Sequence, residues 1–203
     1  MTDSSVQPNI FSAKMFAPRT PFPAAPAEIL GRGMSIRDRT GLGLASVVVR
    51  KNLTIALARR VREHLGLELP RGAGRSAAGS IALAGTGPGA WLASSENGHG
   101  TFAISLSEII GDLAAVADQS DGYGVLRLSG SRVPAILSKL VPLDLDAQAF
   151  KPGHVATTAA AHVGIVLWRL DDIDRRLPCF EVAVRRSLAV SFWDALLTSA
   201  MSR

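Results

Sequence analysis

The sequence predicts an α+β fold in which helices pack on largely antiparallel sheets. From residue 43 onward, segments with the period of a strand and segments with the period of a helix follow one another in the order strand, helix, strand, strand, helix. This order occurs roughly twice, without a repeat at a fixed sequence period. Hydrophobic residues make up 47% of the chain, with few aromatic rings among them, which suits closely packed helices on a sheet.

Length, composition and charge limit the classes of protein to be considered. A chain of 203 residues fits one domain or two small lobes that share a core. Aromatic residues are only 5% and the net charge is a modest +5, whereas nucleic-acid binding needs exposed rings or strongly clustered cations. The densest basic cluster, Arg59, Arg60 and Arg62, falls on one predicted helix, where a solvated face or an acidic partner is favoured. We therefore expect no nucleic-acid partner.

Cysteine usage and hydropathy predict the compartment. Cys179 is the single cysteine, so no internal disulfide can form, which fits a reducing environment. No apolar run approaches the roughly 20 residues that a membrane span needs. The N-terminus shows no apolar segment between a basic start and a cleavage site. We expect a cytoplasmic protein with no membrane partner.

Residues 1–40 differ from the rest of the chain. Prolines interrupt every periodic pattern there, and because they fix φ and remove amide donors, no stable helix or central strand is expected. Isolated apolar residues such as Phe16 and Phe22 are too frequent for a pure linker. We predict an extended or disordered N-terminal arm, which either lies on a partner surface or is a frayed terminus.

Residues 41–203 predict the α+β body, with lobes at about 43–115 and 116–200. In the first lobe, Asn52 is expected to cap a helix whose apolar stripe has a spacing of four residues, and Gly66 to end it. Ser105 or Ser107 is expected to cap a second, short helix. The predicted strands of this lobe are 44–49, 80–84 and 90–94.

The second lobe begins with a short apolar segment. Gly130 and Ser131 are expected to start its first helix, with Pro134 tolerated in the first turn, and Ser187 to cap the last helix. One strand is apolar on both faces and is expected to be central in its sheet. The apolar segment is 116–119, and the predicted strands are 123–129, 155–160, 163–170 (the apolar one) and 179–184.

A glycine-rich loop matches a loose dinucleotide-binding pattern through Gly85, Gly87 and Ala90. In such a site the glycines let the backbone approach a pyrophosphate at a helix N-terminus. Here the sequence leaves no room for a crossover helix, and no acidic strand end follows at the usual distance. A hairpin turn is therefore favoured over a nucleotide site.

No motif for metal binding or nucleophilic catalysis stands out. Metal ligands need converging donors at tight spacing, and the histidines are scattered. Cys179 opens an apolar strand and is expected to be a buried, inert thiol. No G-x-S-x-G elbow occurs, so no nucleophile with a positioned base is indicated. The histidines are His64, His99, His154 and His162.

Two groups of carboxylates leave alternatives open. Asp144 and Asp146 could bind a metal–phosphate or share a proton, or they could accept amides in an extended turn. Asp171, Asp172 and Asp174 lack the glycine and spacing of a calcium loop and are expected in a charged loop. The tryptophans are expected in the core or at an interface; they are Trp91, Trp168 and Trp193.

Residues 116–170 resemble the sarcosine oxidase gamma family. The resemblance rests on a D-x-S motif, a strand that ends in S-G, a helix, and then P-L-D-L and F-x-P-G segments. It covers about residues 43–200, including Gly89-Ala90-Trp91-Leu92 and the last helix. The motif residues, for which we expect turn and strand-end hydrogen bonding, are Asp118, Ser120, Gly130, Pro142, Asp144, Phe150 and Gly153.

The resemblance implies a fold, partners and cofactors. The fold would consist of two ferredoxin-like βαββαβ-type lobes, as in the folate-binding aminomethyltransferases. The chain would be a non-catalytic subunit of a heterotetramer with alpha, beta and delta subunits, which oxidises sarcosine to glycine and passes a one-carbon unit to tetrahydrofolate. FAD, FMN and NAD would belong to the alpha and beta subunits and zinc to the delta subunit. No catalytic, cofactor or metal residue is expected in this chain, which lacks the glycine-rich segment with paired aspartates of full aminomethyltransferases.

Three hypotheses follow from the sequence. The first is a structural subunit of a sarcosine oxidase or of a related N-methylglutamate dehydrogenase. The second is an autonomous folate-binding or aminomethyltransferase-like module. The third, which we consider weakest, is a basic protein associated with RNA or DNA. The sequence does not identify the N-methyl amino acid, because the resemblance puts that pocket on another chain.

Overall fold

A computed structural model describes residues 18–24, 33–173 and 177–202 of the chain. The helices are α1 (Thr54–Leu65), α2 (Phe102–Ile110), α3 (Val133–Ser138) and α4 (Ala189–Met201), and a 3₁₀ turn (Arg186–Leu188) leads into α4. The strands are β1 (Ser35–Asp38), β2 (Gly43–Val49), β3 (Arg75–Ala78), β4 (Ile81–Gly87), β5 (Ala90–Ser95), β6 (Ala114–Asp118), β7 (Tyr123–Ser129), β8 (Val155–Ala160), β9 (Val163–Ile173) and β10 (Leu177–Arg185).

The strands form two antiparallel sheets of five strands each. The first sheet has the order β3-β4-β5-β2-β6 and the second the order β1-β7-β10-β9-β8. Each sheet contains the four strands of a ferredoxin-like lobe and one extra strand at an edge. The extra strand is β3 in the first sheet and β8 in the second. The second lobe obtains its outermost strand from the start of the chain, since β1 occupies the place that β6 has in the first sheet.

Three clusters of buried apolar residues hold the helices and the two sheets together. Strand alternation directs Phe180, Val182 and Val184 of β10 into a core with α3 and α4, where Phe192 and Leu196 are fully buried. A second core lies between helices α1 and α2 and the face of the first sheet that is turned away from the second sheet. A third cluster joins the two sheets directly, and its members come from both sheets. The layer order is therefore helix, sheet, sheet, helix.

The predicted strands and the first helix are confirmed. β7 has the predicted bounds, and β9 lies between β10 and β8, as its two apolar faces predicted. Helix α1 buries Leu57 and Val61, and it ends at Gly66, which has the left-handed φ of 63° that glycine favours. Pro134 lies in the first turn of α3, where its missing amide costs no hydrogen bond.

The predicted N-terminal helix caps are wrong in each case. Asn52 has a φ of 65° in the turn before α1, a conformation that asparagine tolerates, and the cap position is Leu53. Helix α2 begins before both predicted serines, because the turn at Gly98 already accepts the amide of Phe102. Ser187 lies in the 3₁₀ turn, a common start of an α-helix, and not at its cap.

The structure also shows where the ends of the lobes lie. β6 pairs with β2 along Ala114–Asp118, so the segment expected to begin the second lobe is the last strand of the first sheet. Part of the predicted arm belongs to the second lobe: Ser35–Asp38 pairs with β7, and Phe22 is buried against Trp193. The arm residues 1–17 and 25–32 lie outside the described residues.

Candidate functional site

A buried carboxylate lies between the two sheets. Glu181, on the otherwise apolar strand β10, is 4% exposed, and strand alternation turns it away from the helices. It accepts hydrogen bonds from Arg39 Nε at 3.0 Å, from Arg127 Nε at 2.9 Å and from Trp168 Nε1 at 2.9 Å. A terminal nitrogen of Arg127 also lies 2.7 Å from Glu181 Oε1. The charge is thus paired and hydrogen-bonded, which is the condition under which burial of a carboxylate is tolerated.

Arg39 connects this network of hydrogen bonds to the first lobe. Its guanidinium, in a side chain only 8% exposed, donates both to Glu181 and to Glu96, which follows the end of β5. Its backbone amide donates to Val125 O on β7 at 2.9 Å. Side chain and backbone of one residue therefore connect both sheets.

Arg75 is a further cation beside this network. It lies on β3, and burial lowers the pKa of its guanidinium, an effect that Glu181 opposes and Arg127 adds to. Because arginine stays charged under all ordinary conditions, the cluster keeps its positive members. The inter-sheet cluster is therefore electrostatic as well as apolar.

The D-x-S motif ties the end of the first sheet together. Asp118 Oδ1 accepts the amide of Ser120 at 2.9 Å and its hydroxyl at 2.7 Å. Ser120 Oγ in turn accepts the amide of Leu44, on β2, at 3.0 Å. Ser120 is 8% exposed, so its hydroxyl satisfies a buried donor that no water reaches easily.

Gly130 lets the start of β1 approach the end of β7. Its φ is +133°, and a Cβ there would lie 2.2 Å from Gly33 O and 3.0 Å from Met34 Cα. Its amide donates to Pro178 O at 3.1 Å. A side chain at this position is therefore incompatible with the observed path of the N-terminal strand.

The P-L-D-L segment forms consecutive aspartate turns. Pro142 is exposed, whereas Leu145 is buried in the core under α3 and α4. Asp144 Oδ1 accepts the amide of Asp146 at 2.9 Å, and Asp146 Oδ1 accepts that of Gln148 at 2.8 Å. Both carboxylates thus take part in the turn contacts that the extended-turn alternative describes.

The F-x-P-G segment lies on Arg169 and reaches the first sheet. Phe150 stacks on Phe180 with ring centroids 6.3 Å apart, and its carbonyl accepts from Arg169 at 2.9 Å. Gly153, with a φ of +84°, donates to Arg169 O at 2.9 Å and accepts the amide of Arg75 at 2.7 Å. The segment therefore bridges β9 and β3.

The glycine-rich loop is a hairpin. β4 and β5 pair on both sides of it, with a register shift between Gly85 and Gly87. A Cβ on Gly85 would lie 1.9 Å from Gly72 O, so this glycine serves a close backbone approach inside the protein. The hairpin interpretation is confirmed.

The remaining candidate residues are distributed over the fold. His99 Nε2 lies 3.3 Å from Asp121, and the ring of His154 contacts Phe150 edge-on. Within the described ranges, no three potential metal ligands come together. Cys179 is 2% exposed, and burial raises the pKa of its thiol, as expected for an inert cysteine. Asp171 and Asp172 lie in strand β9 and not in the expected charged loop, and Asp172 accepts a hydrogen bond from Arg169 at 2.9 Å. Asp174 lies outside the described residues.

A sequence model described as "Sarcosine oxidase, gamma subunit family" matches residues 50–202. The chain belongs to this family. The sarcosine oxidase subunit gamma of Corynebacterium sp. (strain P-1) is 36% identical to it over 110 residues, which are 53% of this chain and 54% of that relative. The matched part is thus about half the length of the relative.

Solved structures show that the fold extends beyond the family match. A chain of the heterotetrameric sarcosine oxidase from Corynebacterium sp. U-96, in complex with pyrrole 2-carboxylate, superposes with a TM-score of 0.68 at 22% identity, over 85% of this chain and 88% of that one. The glycine cleavage system aminomethyltransferase T from Bartonella henselae superposes with a TM-score of 0.60 at 14% identity, over 81% of this chain and 45% of the other. Both the recognised family and the predicted folate-binding-like fold are confirmed.

Two grooves of more than 400 Å³ lie on the described part of this gamma-family chain. A pterin ring offers paired N–H donors and a flat π face, for which a carboxylate and an aromatic ring are suitable partners. A groove of about 480 Å³ near Gly85 and Thr157 is lined by small and backbone groups. A groove of about 460 Å³ has Glu108 and Asp118 but no ring among its lining residues. Neither of these two grooves therefore combines a carboxylate with an aromatic ring.

The inter-sheet charges belong to none of the motifs in the sequence. Glu181 and Arg127 were visible only as charged residues inside predicted strands, on the faces that turn out to meet the other sheet. A charge within an apolar strand such as β10 is an available signal, but Arg39, the partner of Glu181, lies 142 positions away from it in sequence.

In the described part of this gamma-family chain, no helix is both long and apolar enough to span a bilayer.

Proposed function

We propose that this chain is the non-catalytic gamma subunit of a heterotetrameric sarcosine oxidase. In this role it supports the oxidative demethylation of sarcosine to glycine, with transfer of the one-carbon unit to tetrahydrofolate. The observation that carries the proposal is family membership over residues 50–202, combined with a fold that covers 88% of a chain in a solved heterotetrameric sarcosine oxidase.

The geometry of the motif residues supports a scaffold role. Asp118 and Asp144 accept backbone amides, and Gly130 and Gly153 allow close contacts between strands. These two carboxylates accept hydrogen bonds from backbone amides of the same chain, so they stabilise the fold. The proposal therefore assigns no catalytic, cofactor or metal residue to this chain.

Exposed apolar side chains support an assembly role. Ile55 is 88% exposed, Ile104 64%, Val190 54% and Met201 62%. Permanent interfaces bury large apolar areas, so such side chains are suited to contact other subunits. We propose alpha, beta and delta subunits as these partners, with FAD, FMN and NAD in the alpha and beta subunits, zinc in the delta subunit, and the cytoplasm as the compartment.

A subunit of an N-methylglutamate dehydrogenase is the alternative within the same role. Both assemblies would use this chain as a scaffold, and they would differ in the substrate that another subunit binds. Substrate turnover by the assembled complex therefore separates the two. An autonomous folate-binding module would instead require the isolated chain to bind tetrahydrofolate.

The test is co-expression of this chain with candidate alpha, beta and delta subunits from the same organism. We expect a stable complex that produces hydrogen peroxide from sarcosine, and loss of complex yield when this chain is omitted. Isothermal titration of the isolated chain with tetrahydrofolate is expected to give no heat of binding. A chain that remains monomeric in the presence of the other subunits would overturn the proposal.

A further inference from the structure

The two lobes contain equivalent grooves. In the first lobe the edge strand β6 lies beside helix α2, and in the second lobe the edge strand β1 lines a groove together with Trp193 of α4. In the second lobe this groove lies between β1 and α4, and in the first lobe between β6 and α2. We call the latter the α2–β6 groove; its lining residues are Ala103, Ile104, Ser107, Glu108, Val116 and Asp118.

An extended segment of the chain itself lies along the groove of the second lobe and forms part of its wall. Phe22 is only 6% exposed, and its ring centroid lies 6.0 Å from that of Trp193 on α4. Thr20 Oγ1 accepts the amide of Phe22 at 3.0 Å and so holds the segment in shape. The flanking prolines, Pro21 and Pro23, favour an extended backbone. A large apolar side chain on an extended segment therefore packs against the helix of this groove, and about 320 Å³ remains open between the segment, β1 and Trp193.

The α2–β6 groove has no such segment along it among the described residues. Its volume is about 460 Å³, Ile104 is 64% exposed, and Val116 is half-buried at its floor. In the part of the chain that the structure describes, β6 pairs with β2 alone. An open strand edge beside an apolar groove is an arrangement that binds extended peptides by strand addition.

The register of β6 shows which backbone groups are available. Gln119 donates to Leu44 O at 2.8 Å, and Arg50 donates to Leu113 O at 2.9 Å. Because hydrogen-bonded and non-hydrogen-bonded pairs alternate in an antiparallel ladder, the pair of Val47 and Val116 is non-hydrogen-bonded. The amide and carbonyl of Val116 therefore point away from β2, toward the open edge.

The charge at the rim specifies the occupant further. Glu108 and Asp118 are exposed on the two sides of the groove, although the chain as a whole carries a net charge of +5. A segment with lysine or arginine next to its apolar side chain would be complementary to this rim. The rim thus disfavours an acidic partner at this place.

We propose that the α2–β6 groove receives an extended segment of another subunit of the complex. This segment pairs with β6 through Val116 and places a large apolar side chain, flanked by basic residues, against Ile104. The inference rests on the proposed function, since it needs a partner subunit. It adds to that function the surface used and the chemistry of the partner.

The test uses the co-expressed complex and two groove variants. Ile104→Asp puts a charge against the incoming side chain, and Val116→Pro removes an outward amide at a position where an edge strand tolerates proline. Ser105→Asp is the matched control, because Ser105 is the exposed neighbour of Ile104 on the same helix and does not line the groove. We expect each groove variant to weaken assembly by at least about tenfold and the control to change it by less than about threefold.

Hydrogen exchange and sedimentation complete the test. The Val116 amide is expected to exchange more slowly in the complex than in the isolated chain. If the wild-type chain assembles but both groove variants assemble as well as the control, this inference is overturned and the proposed function stands. If the wild-type chain does not assemble at all, both are overturned. If the isolated chain forms a dimer that Ile104→Asp abolishes, the occupant is a second copy, and the assignment to another subunit is wrong.

Discussion

Arg39 Nε lies 3.0 Å from Glu181 Oε1, and this contact joins the segment after β1 to the centre of the second sheet. Both side chains are buried, with 8% and 5% exposed. Since Arg39 also contacts Glu96 in the first lobe, the placement of β1 and the joining of the two lobes depend on the same guanidinium. The N-terminal strand is therefore an integral part of the fold.

Replacing Glu181 by alanine is expected to lower the free energy of unfolding by about 3–5 kcal/mol, because two guanidinium groups would lose a buried counter-charge. Urea denaturation measures this difference. The control is Glu63→Ala, which removes an exposed carboxylate 3.9 Å from Arg59 and should cost less than about 1 kcal/mol. Equal effects of the two substitutions would contradict the role assigned to Glu181.

Replacing Ser120 by alanine is expected to destabilise the protein by about 1–3 kcal/mol, because the buried amide of Leu44 would lose its acceptor. Ser46→Ala is the matched control: its hydroxyl also contacts a backbone carbonyl of this sheet, but at 3.5 Å and in an exposed position. We expect that substitution to change stability by less than about 0.5 kcal/mol. Thermal unfolding of both variants compares them, and a Ser120 variant as stable as the control would be inconsistent with the structure.

The local patterns predicted the body of the fold because the periods of strands and helices are written in neighbouring residues. The alternation of residues 123–129 gave the bounds of β7, and the stripe through Leu57 and Val61 gave the buried face of α1. The N-terminal helix caps were predicted wrongly because a capping residue does not by itself determine where a turn begins. At α2, the backbone turn at Gly98 starts the helix before either serine.

The long-range contacts could not be predicted from such patterns. Nothing in the sequence around Ser35–Asp38 shows that it completes the sheet of a lobe whose next strand begins at Tyr123. The same holds for the pairing of Arg39 with Glu181, since only the fold brings these positions together. The motif residues were recognised by resemblance, but the contacts of Gly130 with Gly33 and of Gly153 with Arg75 depend on this tertiary arrangement.

Gly130→Ala is expected to destabilise the protein by more than the roughly 1–3 kcal/mol of an unfavourable backbone conformation, because the new Cβ would also overlap Gly33 O. Gly164→Ala is the control, since a Cβ on that glycine of β9 meets nothing within 4 Å. In a strand, that change should be neutral or slightly stabilising. Urea midpoints at equal slope would compare the two, and a neutral Gly130 variant would show that β1 does not follow the described path.

The buried thiol of Cys179 predicts a dependence of stability on alkaline pH. Burial raises the pKa of this thiol, whereas in the unfolded chain it titrates near about 8.5. The folded state therefore holds its proton to higher pH, so the stabilisation is complete below about pH 8.5 and is lost as the pH rises through the folded-state value. Cys179→Ala removes this slope.

The stability difference between wild type and Cys179→Ala is thus expected to shrink between about pH 7 and about pH 10. Urea denaturation under reducing conditions at several pH values measures it. The native thiol should also react slowly with a thiol-specific reagent at about pH 8, and quickly after unfolding. Rapid labelling of the native chain would be the contrary result.

Phe22 tests whether the described part of the N-terminal arm folds with the second lobe or only rests on it. Its ring is 6% exposed and contacts Trp193, so Phe22→Ala is expected to cost about 3–5 kcal/mol if the segment unfolds together with the core. Pro23→Ala, at the next and exposed position, is expected to stay within about 0.5 kcal/mol. A cost below about 1 kcal/mol for Phe22→Ala would mean that the segment detaches locally, because local detachment limits the loss to the free energy that holds the segment in place. The segment would then be held only weakly beside α4, and the comparison with the α2–β6 groove would lose its basis.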